Sequence, residues 1–169
     1  MIINGESLLN AAPILNMEIS KVRQEGVSYG LSEAGYDIRI KQTIAFMKDV
    51  ETGTRTVGVK DNQGNLFFAY GRFALASAIE EFRMPDNLVG IVHDKSTWAR
   101  QGLSVFNTVI EPGWDGFLTL ELVHHGDNTL IIPAGSGIAQ VVFHETKCLT
   151  SYSGKYNHQP DHPVEAIFK

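Results

Sequence analysis

The sequence predicts a mainly β chain, a distorted β-barrel or jelly-roll with short N-terminal helices, and three observations carry that prediction. Between Leu88 and Glu145 short apolar runs return about every 10 residues, the spacing of strands in sandwiches and barrels. The gaps between them hold Pro85-Asp86-Asn87, Pro112-Gly113, His125-Gly126-Asp127-Asn128 and Pro133-Ala134-Gly135, which supply the fixed φ, the positive φ or the side-chain bonds that turns need. Upstream, Tyr36-Asp37-Ile38-Arg39-Ile40 alternates with period two, as a half-buried strand does.

Taken in order, residues 1–27 hold a helix around Glu6–Ala12 closed by Pro13, and a second helix near Glu18–Glu25 ended by Gly26. Strands follow at Tyr36–Ile40 and within Asn65–Tyr70, while the glycine-rich, polar stretch Glu51–Asn65 reads as a hairpin or loop. Phe73–Met84 carries Ala and Glu residues that favour a helix by propensity, yet its surroundings are β, and we read it as a strand. The runs Leu88–Val92, Leu103–Phe106, Phe117–Val123, Leu130–Ile132 and Ile138–Phe143 complete the β set. Beyond them the periodicity is lost, and 146–169 reads as a mobile polar tail of a single domain spanning 1–169. A chain of this length buries about 70% of its unfolded surface, enough for one unstapled core.

Composition narrows the function. Fourteen Lys and Arg against nineteen Asp and Glu, a net charge of -5, disfavour a surface that coats nucleic acid. The one cysteine, Cys148, makes neither an intrachain disulfide nor a Cys-rich zinc site, so a reduced, cytoplasmic setting and zinc-free chemistry are expected. The N-terminal stretch lacks a basic leader, and no apolar run is long enough to span a membrane, so no membrane partner is expected. Neither a Walker A string nor a Gly-x-Gly-x-x-Gly turn is present. The adjacent His124 and His125 point to opposite faces of a strand and read as turn or surface residues, not as co-ligands of a metal.

The cations are unevenly placed. From Met84 to Thr146, Lys95 and Arg100 are the only ones until the end of the run, and they bracket Ser96 and Thr97. Two cations five apart around two hydroxyls suit an anionic group; equally, the string is a polar turn in which Ser96 or Thr97 caps a short helix ending near Gly102. Both readings are compatible, because a helix start also offers backbone N–H groups to a phosphate. Glu121 is the one carboxylate in Phe117–Val123: burial there would raise its pKa toward the range of a general acid or base, whereas alternation with Thr119 and Val123 would leave it on an exposed face. Glu111, before Pro112-Gly113, is a second carboxylate at a turn. Lys155-Tyr156-Asn157-His158-Gln159 is either a disordered end or a cover over a bound anion.

Together these strings resemble the trimeric deoxyuridine triphosphatase and dCTP deaminase superfamily over roughly residues 28–160. Ala34–Ile38, Asp94–Arg100, Asn107–Gly116 and Gly135–Gln140 are similar to its motifs, in its order. Thr119-Leu120-Glu121 and Lys155-Tyr156-x-x-Gln159 match the deaminase branch, and the glycine-rich fifth motif of the triphosphatases is missing. The resemblance implies a homotrimer of dUTPase-like fold with shared sites and dCTP as substrate, deaminated to dUTP and ammonia without zinc, with Mg²⁺ bound through the triphosphate. It implies Glu121 as general base, Ser96 and Arg100 as the groups that position water, and Lys95, Thr97, Lys155, Tyr156 and Gln159 around the triphosphate. Glu111 stands where the superfamily usually has aspartate; its extra methylene disfavours onward hydrolysis to dUMP and pyrophosphate, which stays an alternative. A non-catalytic nucleotide-binding member is a further one. Asn107 and Thr108 lie near the expected base position without an assigned role.

Overall fold

The computed structural model describes residues 1–24 and 26–168. Its strands are β1 (Ile2–Ile3), β2 (Lys21–Gln24), β3 (Val27–Leu31), β4 (Tyr36–Arg39), β5 (Thr43–Lys48), β6 (Arg55–Lys60), β7 (Leu66–Tyr70), β8 (Phe73–Arg83), β9 (Leu88–Asp94), β10 (Leu103–Val105), β11 (Val109–Ile110), β12 (Asp115–His124), β13 (Leu130–Ile132) and β14 (Gly137–Glu145). Two short helices join them, α1 (Gly5–Ala11) and α2 (Ser96–Ala99). A seven-stranded sheet runs β11-β9-β14-β4-β3-β2, with β1 also on β14; beside it stand β10-β12-β8 and β13-β5-β6-β7. The sheets do not close into a continuous barrel, which makes this a distorted jelly-roll.

The long pair β8·β12 dominates the second sheet, and its alternation explains why Phe73–Met84 forms a strand despite its helix propensity. Ala74, Ala76, Ala78, Glu80 and Phe82 face inward, against Leu118, Leu120 and Leu122. Small alanines let the sheet pack closely, Ala78 forming a bridge with Ile40, and each large side chain buried in the core contributes about 1.5–3 kcal/mol. Two polar knots are buried with this core. Gln42 and Ser77 bond each other reciprocally, and Glu80, 3% exposed at its side chain, accepts from the main-chain N–H and the guanidinium of Arg39 at 2.8 Å each. Burial nonetheless pushes the Glu80 carboxyl up.

Several expectations are corrected. The second N-terminal helix does not form: Lys21–Gln24 is β2, paired with β3 across a turn containing Gly26 at φ 76°. Lys, Arg and Gln tolerate helix, but partnering with a strand overrides that weak propensity; the expected last residue, Glu25, lies outside the described residues. Among the described residues only α1 remains of the N-terminal helices, and the other helix is α2, in mid-chain. The Glu51–Asn65 stretch contains a full strand, β6, flanked by an Asp49-centred and an Asp61-centred turn. Ser96 and Thr97 lie inside α2; its N-cap is Lys95, and no side chain caps it. His124 is buried, its ring 5.5 Å from Phe46 and its Nε2 3.1 Å from the Gln101 carbonyl, because β12 extends through it. The segment 146–168 is docked rather than free: Tyr152 N–H donates to Pro112 O, Trp114 Nε1–H to Tyr156 O, and Gln159 forms a parallel bridge with Gly116.

Candidate active site

Glu121 sits on the outer face of β12, in line with Thr119 and Val123, so the alternation in the sequence is real. That face is nonetheless covered. Phe73 and Leu75 from β8, the segment Thr108–Glu111 that includes β11, Trp114, and residues from the tail enclose a cavity of about 510 Å³ over it. Half-buried in this cavity, Glu121 has its carboxyl pushed up by desolvation, only partly opposed by a hydrogen bond with its own main chain. A carboxyl group in that condition exchanges protons closer to neutrality than an exposed one.

A register irregularity between Phe117 and Thr119 bends β12 just before Glu121. On the same strand, Gly116 is required by a close approach: its φ is 122°, and a Cβ there would stand 2.5 Å from the main-chain nitrogen of Gln159. The tail therefore lies directly on the strand that carries Glu121. The Thr119 hydroxyl donates to Gln159 Oε1 at 2.9 Å, and Phe117 N–H donates to Gln159 O at 3.1 Å. Glu111, exposed in its turn, lines the same cavity, as do Thr108, Tyr156 and Gln159.

The second group of expected site residues stands elsewhere. Lys95–Arg100 follows the end of β9 and folds as α2 with its two caps, pinned by buried Trp98, whose Nε1–H donates to Gly137 O at 2.7 Å. Gly137 is itself required by a different close approach, since a Cβ on it would collide with the Ser28 carbonyl oxygen. Asp94 Oδ1 accepts from Val105 N–H at 2.7 Å and fixes β10 behind the helix. Ser96, Thr97 and Arg100 are exposed. Lys95 is not: its ammonium is paired with the buried Asp37 carboxylate, whose other oxygen has no partner. Because Leu103 pairs with His124, α2 joins at the far end of β12, about 10 Å beyond Glu121 at strand spacing. Within one chain, then, Glu121, Glu111, Tyr156 and Gln159 share the cavity, while Lys95, Ser96, Thr97 and Arg100 do not line it. Lys155 is turned toward the Ile167 carbonyl.

Reading the sequence missed Asp37 and Thr119. The signal for Asp37 was a lone carboxylate in an alternating strand upstream of an isolated cation, and for Thr119 its place two residues from Glu121 on the same face. Among the described residues no three His, Cys, Asp or Glu side chains cluster as a metal-ligand set, and no helix is long and apolar enough to cross a membrane.

These features define first a class. In fold the chain is of the deoxyuridine triphosphatase type: it superposes on the enzyme from phage phi11 of S. aureus with a TM-score of 0.52 at 14% identity, covering 83% of this chain and 91% of that one. The Staphylococcus bacteriophage 80alpha enzyme gives 0.52 at 14% identity over 92% and 88% of the two chains. Sequence then singles out the branch. The dCTP deaminase-like family model matches residues 9–146, and the chain belongs to that family. It is 37% identical over 178 aligned positions to the dCTP deaminase of Sulfurovum sp. (strain NBC37-1), covering 97% of this chain and 94% of that one. It is 38% identical to the dCTP deaminases of Protochlamydia amoebophila, over 79% of this chain and 77% of that one, and of Campylobacter jejuni, over 85% and 83%.

Proposed function

We propose that this chain deaminates dCTP to dUTP and ammonia, as a cytoplasmic homotrimer whose sites each draw on two subunits. The observation that carries the chemistry is the desolvated Glu121 carboxyl on the floor of a cavity large enough for a nucleoside. Glu121 takes a proton from water as that water adds to C4 of the cytosine ring and passes it to N3; it then takes the proton of the new C4 hydroxyl and passes it to the amine, which leaves as ammonia as the C4–N bond breaks and C4=O forms. An amidine carbon protonated at N3 is already electrophilic, so one tuned carboxylate and one positioned water suffice.

The shared site follows from what the cavity lacks. Its lining includes three glutamates and neither lysine nor arginine among the described residues, while exposed Arg100, Ser96 and Thr97 stand together on another part of the chain. A second copy that presents α2 over the Glu121 cavity supplies the missing cation: Arg100 and Ser96 then hold the water and stabilise charge as C4 becomes tetrahedral. Thr97, Lys95, Lys155, Tyr156 and Gln159 hold the triphosphate. Lys95 does so only by sharing its charge with Asp37, so it acts as a fixed positive centre rather than as a mobile ligand. Magnesium enters as part of the substrate, on the phosphates.

Glu111 in the same cavity favours one second reading, onward hydrolysis of dUTP to dUMP and pyrophosphate with Glu111 activating a water. One experiment separates the two. Purified protein is incubated with dCTP and Mg²⁺, and ammonia, dUTP and pyrophosphate are measured separately. Ammonia with dUTP is expected; the absence of ammonia from folded trimer overturns the deaminase, and pyrophosphate equal to ammonia establishes the bifunctional enzyme.

A further inference from the structure

The tail that covers the Glu121 cavity also enters it, and it engages the groups that a nucleotide needs. Val164, Glu165 and Ala166 line the cavity beside Glu121 and Thr119. Val164 N–H donates to Thr119 Oγ1 at 3.0 Å, and the Thr119 hydroxyl in turn donates to Gln159 Oε1. Ile167 N–H donates to the Tyr156 hydroxyl at 3.0 Å, and the Lys155 ammonium donates to the Ile167 carbonyl. Lys155, Tyr156 and Gln159 are thus each engaged within the chain.

We infer that residues 164–167 are an intramolecular ligand of the nucleotide site, seated there in the empty enzyme and displaced by dCTP, with Thr119 as the latch. The inference rests on the deaminase reading for the identity of the displacing nucleotide. Two physical reasons support exchange rather than permanent closure. The Lys155 donor directed at a peptide carbonyl is the kind a phosphate oxygen takes more strongly, since that bond becomes fully charge-assisted. Glu165 adds a third carboxylate to a cavity that already has Glu111 and Glu121, so its departure lowers the field that opposes a polyanion.

The anchoring is graded in the same sense. Upstream, Asp161 pairs with Lys41, and Gln159 is bridged to Gly116. Downstream, Val164 and Ile167 are only half-buried, and Glu165, Ala166 and Phe168 are exposed. A segment with so little buried apolar surface opens locally at low cost, while its base stays fixed. Thr119 has a property suited to a latch: its one hydroxyl accepts from the segment and donates to the clamp residue Gln159, so it couples the two.

The test compares the full chain with a variant ending at Pro163, both carrying Glu121→Gln, by calorimetric titration with dCTP and Mg²⁺. If the segment is seated about nine-tenths of the time, its removal tightens binding about 10-fold. In the active background the same truncation lowers KM and leaves kcat unchanged, and a peptide of sequence PVEAIF inhibits the truncated enzyme competitively with dCTP. Full-length Val164→Pro, which removes the N–H donor to the Thr119 hydroxyl and leaves the Thr119–Gln159 bond in place, shifts the affinity in the same direction by a smaller factor and serves if the shortened chain does not fold. Unchanged or weaker binding in the folded variants overturns the inference, because the segment would then be inert or a cover over bound nucleotide. The titration reads affinity without turnover, so a full-length enzyme that binds dCTP but makes no ammonia defeats the deaminase reading and leaves the competition measurable.

Discussion

The two halves of the candidate site are built in opposite ways. The Glu121 half is a recess: a floor of β8 and β12, walls from the β11 segment Thr108–Glu111 and from the tail, and a carboxyl group pushed up by burial. The α2 half is a projection, a single helical turn held from behind by Trp98 and Asp94 with Ser96, Thr97 and Arg100 facing outward. Desolvation is useful where a proton must move near neutrality, whereas an exposed cation keeps its charge at no desolvation cost until a partner covers it. One chain displays both parts without joining them, and the proposed homotrimer would join them across an interface.

The largest effect that bears on this contrast is at the recess. Glu121→Gln should lower kcat at least 10³-fold while dCTP still binds, measured by ammonia release and by titration; unchanged turnover removes Glu121 from the mechanism. Complementation comes next. Glu121→Gln and Arg100→Ala subunits, each inactive as pure trimers, should recover about a quarter of wild-type activity when mixed by refolding, because random assembly leaves that share of sites intact. No recovery would mean that both groups act within one chain.

The two cations of α2 should part company in stability. Lys95→Met strands the buried Asp37 charge and should cost about 3 kcal/mol in urea unfolding, while Arg100→Ala, being exposed, should stay within about 0.5 kcal/mol. Equal costs would erase the distinction between a structural and a free cation. The smallest effect is electrostatic. With its folded pKa above its unfolded one, Glu121 holds its proton longer in the native state, so stability is lost as pH rises through the ordinary glutamate range toward the raised value. Glu121→Gln should therefore unfold at a slightly higher temperature than wild type at pH 7 and at the same temperature near pH 3. The acid limb of kcat should fall above the usual glutamate pKa for the same reason.

Much of this was legible in the residues. Recurring apolar runs and turn chemistry located the strands from Leu88 onward apart from the two-residue β11, and the β surroundings placed Phe73–Arg83 among them, because a long strand writes its faces into the sequence where a two-residue one does not. Such patterns failed at Lys21–Gln24, an edge strand with almost no buried face and residues that suit a helix as well. The resemblance named the groups of both halves, and composition isolated Lys95 and Arg100. Neither revealed that Lys95 is committed to Asp37, since that pair spans 58 positions.

By itself, then, the sequence determined the β class, the candidate carboxylate and the two cations, all of them properties of spacing along a strand or of residue type. Only the tertiary structure decided whether Glu121 is solvated, because its exposure depends on the β11 segment Thr108–Glu111 and a tail at 164–166 that meet over it from distant parts of the chain. The same holds for the tail, whose polar composition reads as mobile until Gly116 is seen to leave room for the Gln159 backbone against β12. Local patterns record which face a residue points to; what lies across that face is set by long-range packing, which no local pattern encodes.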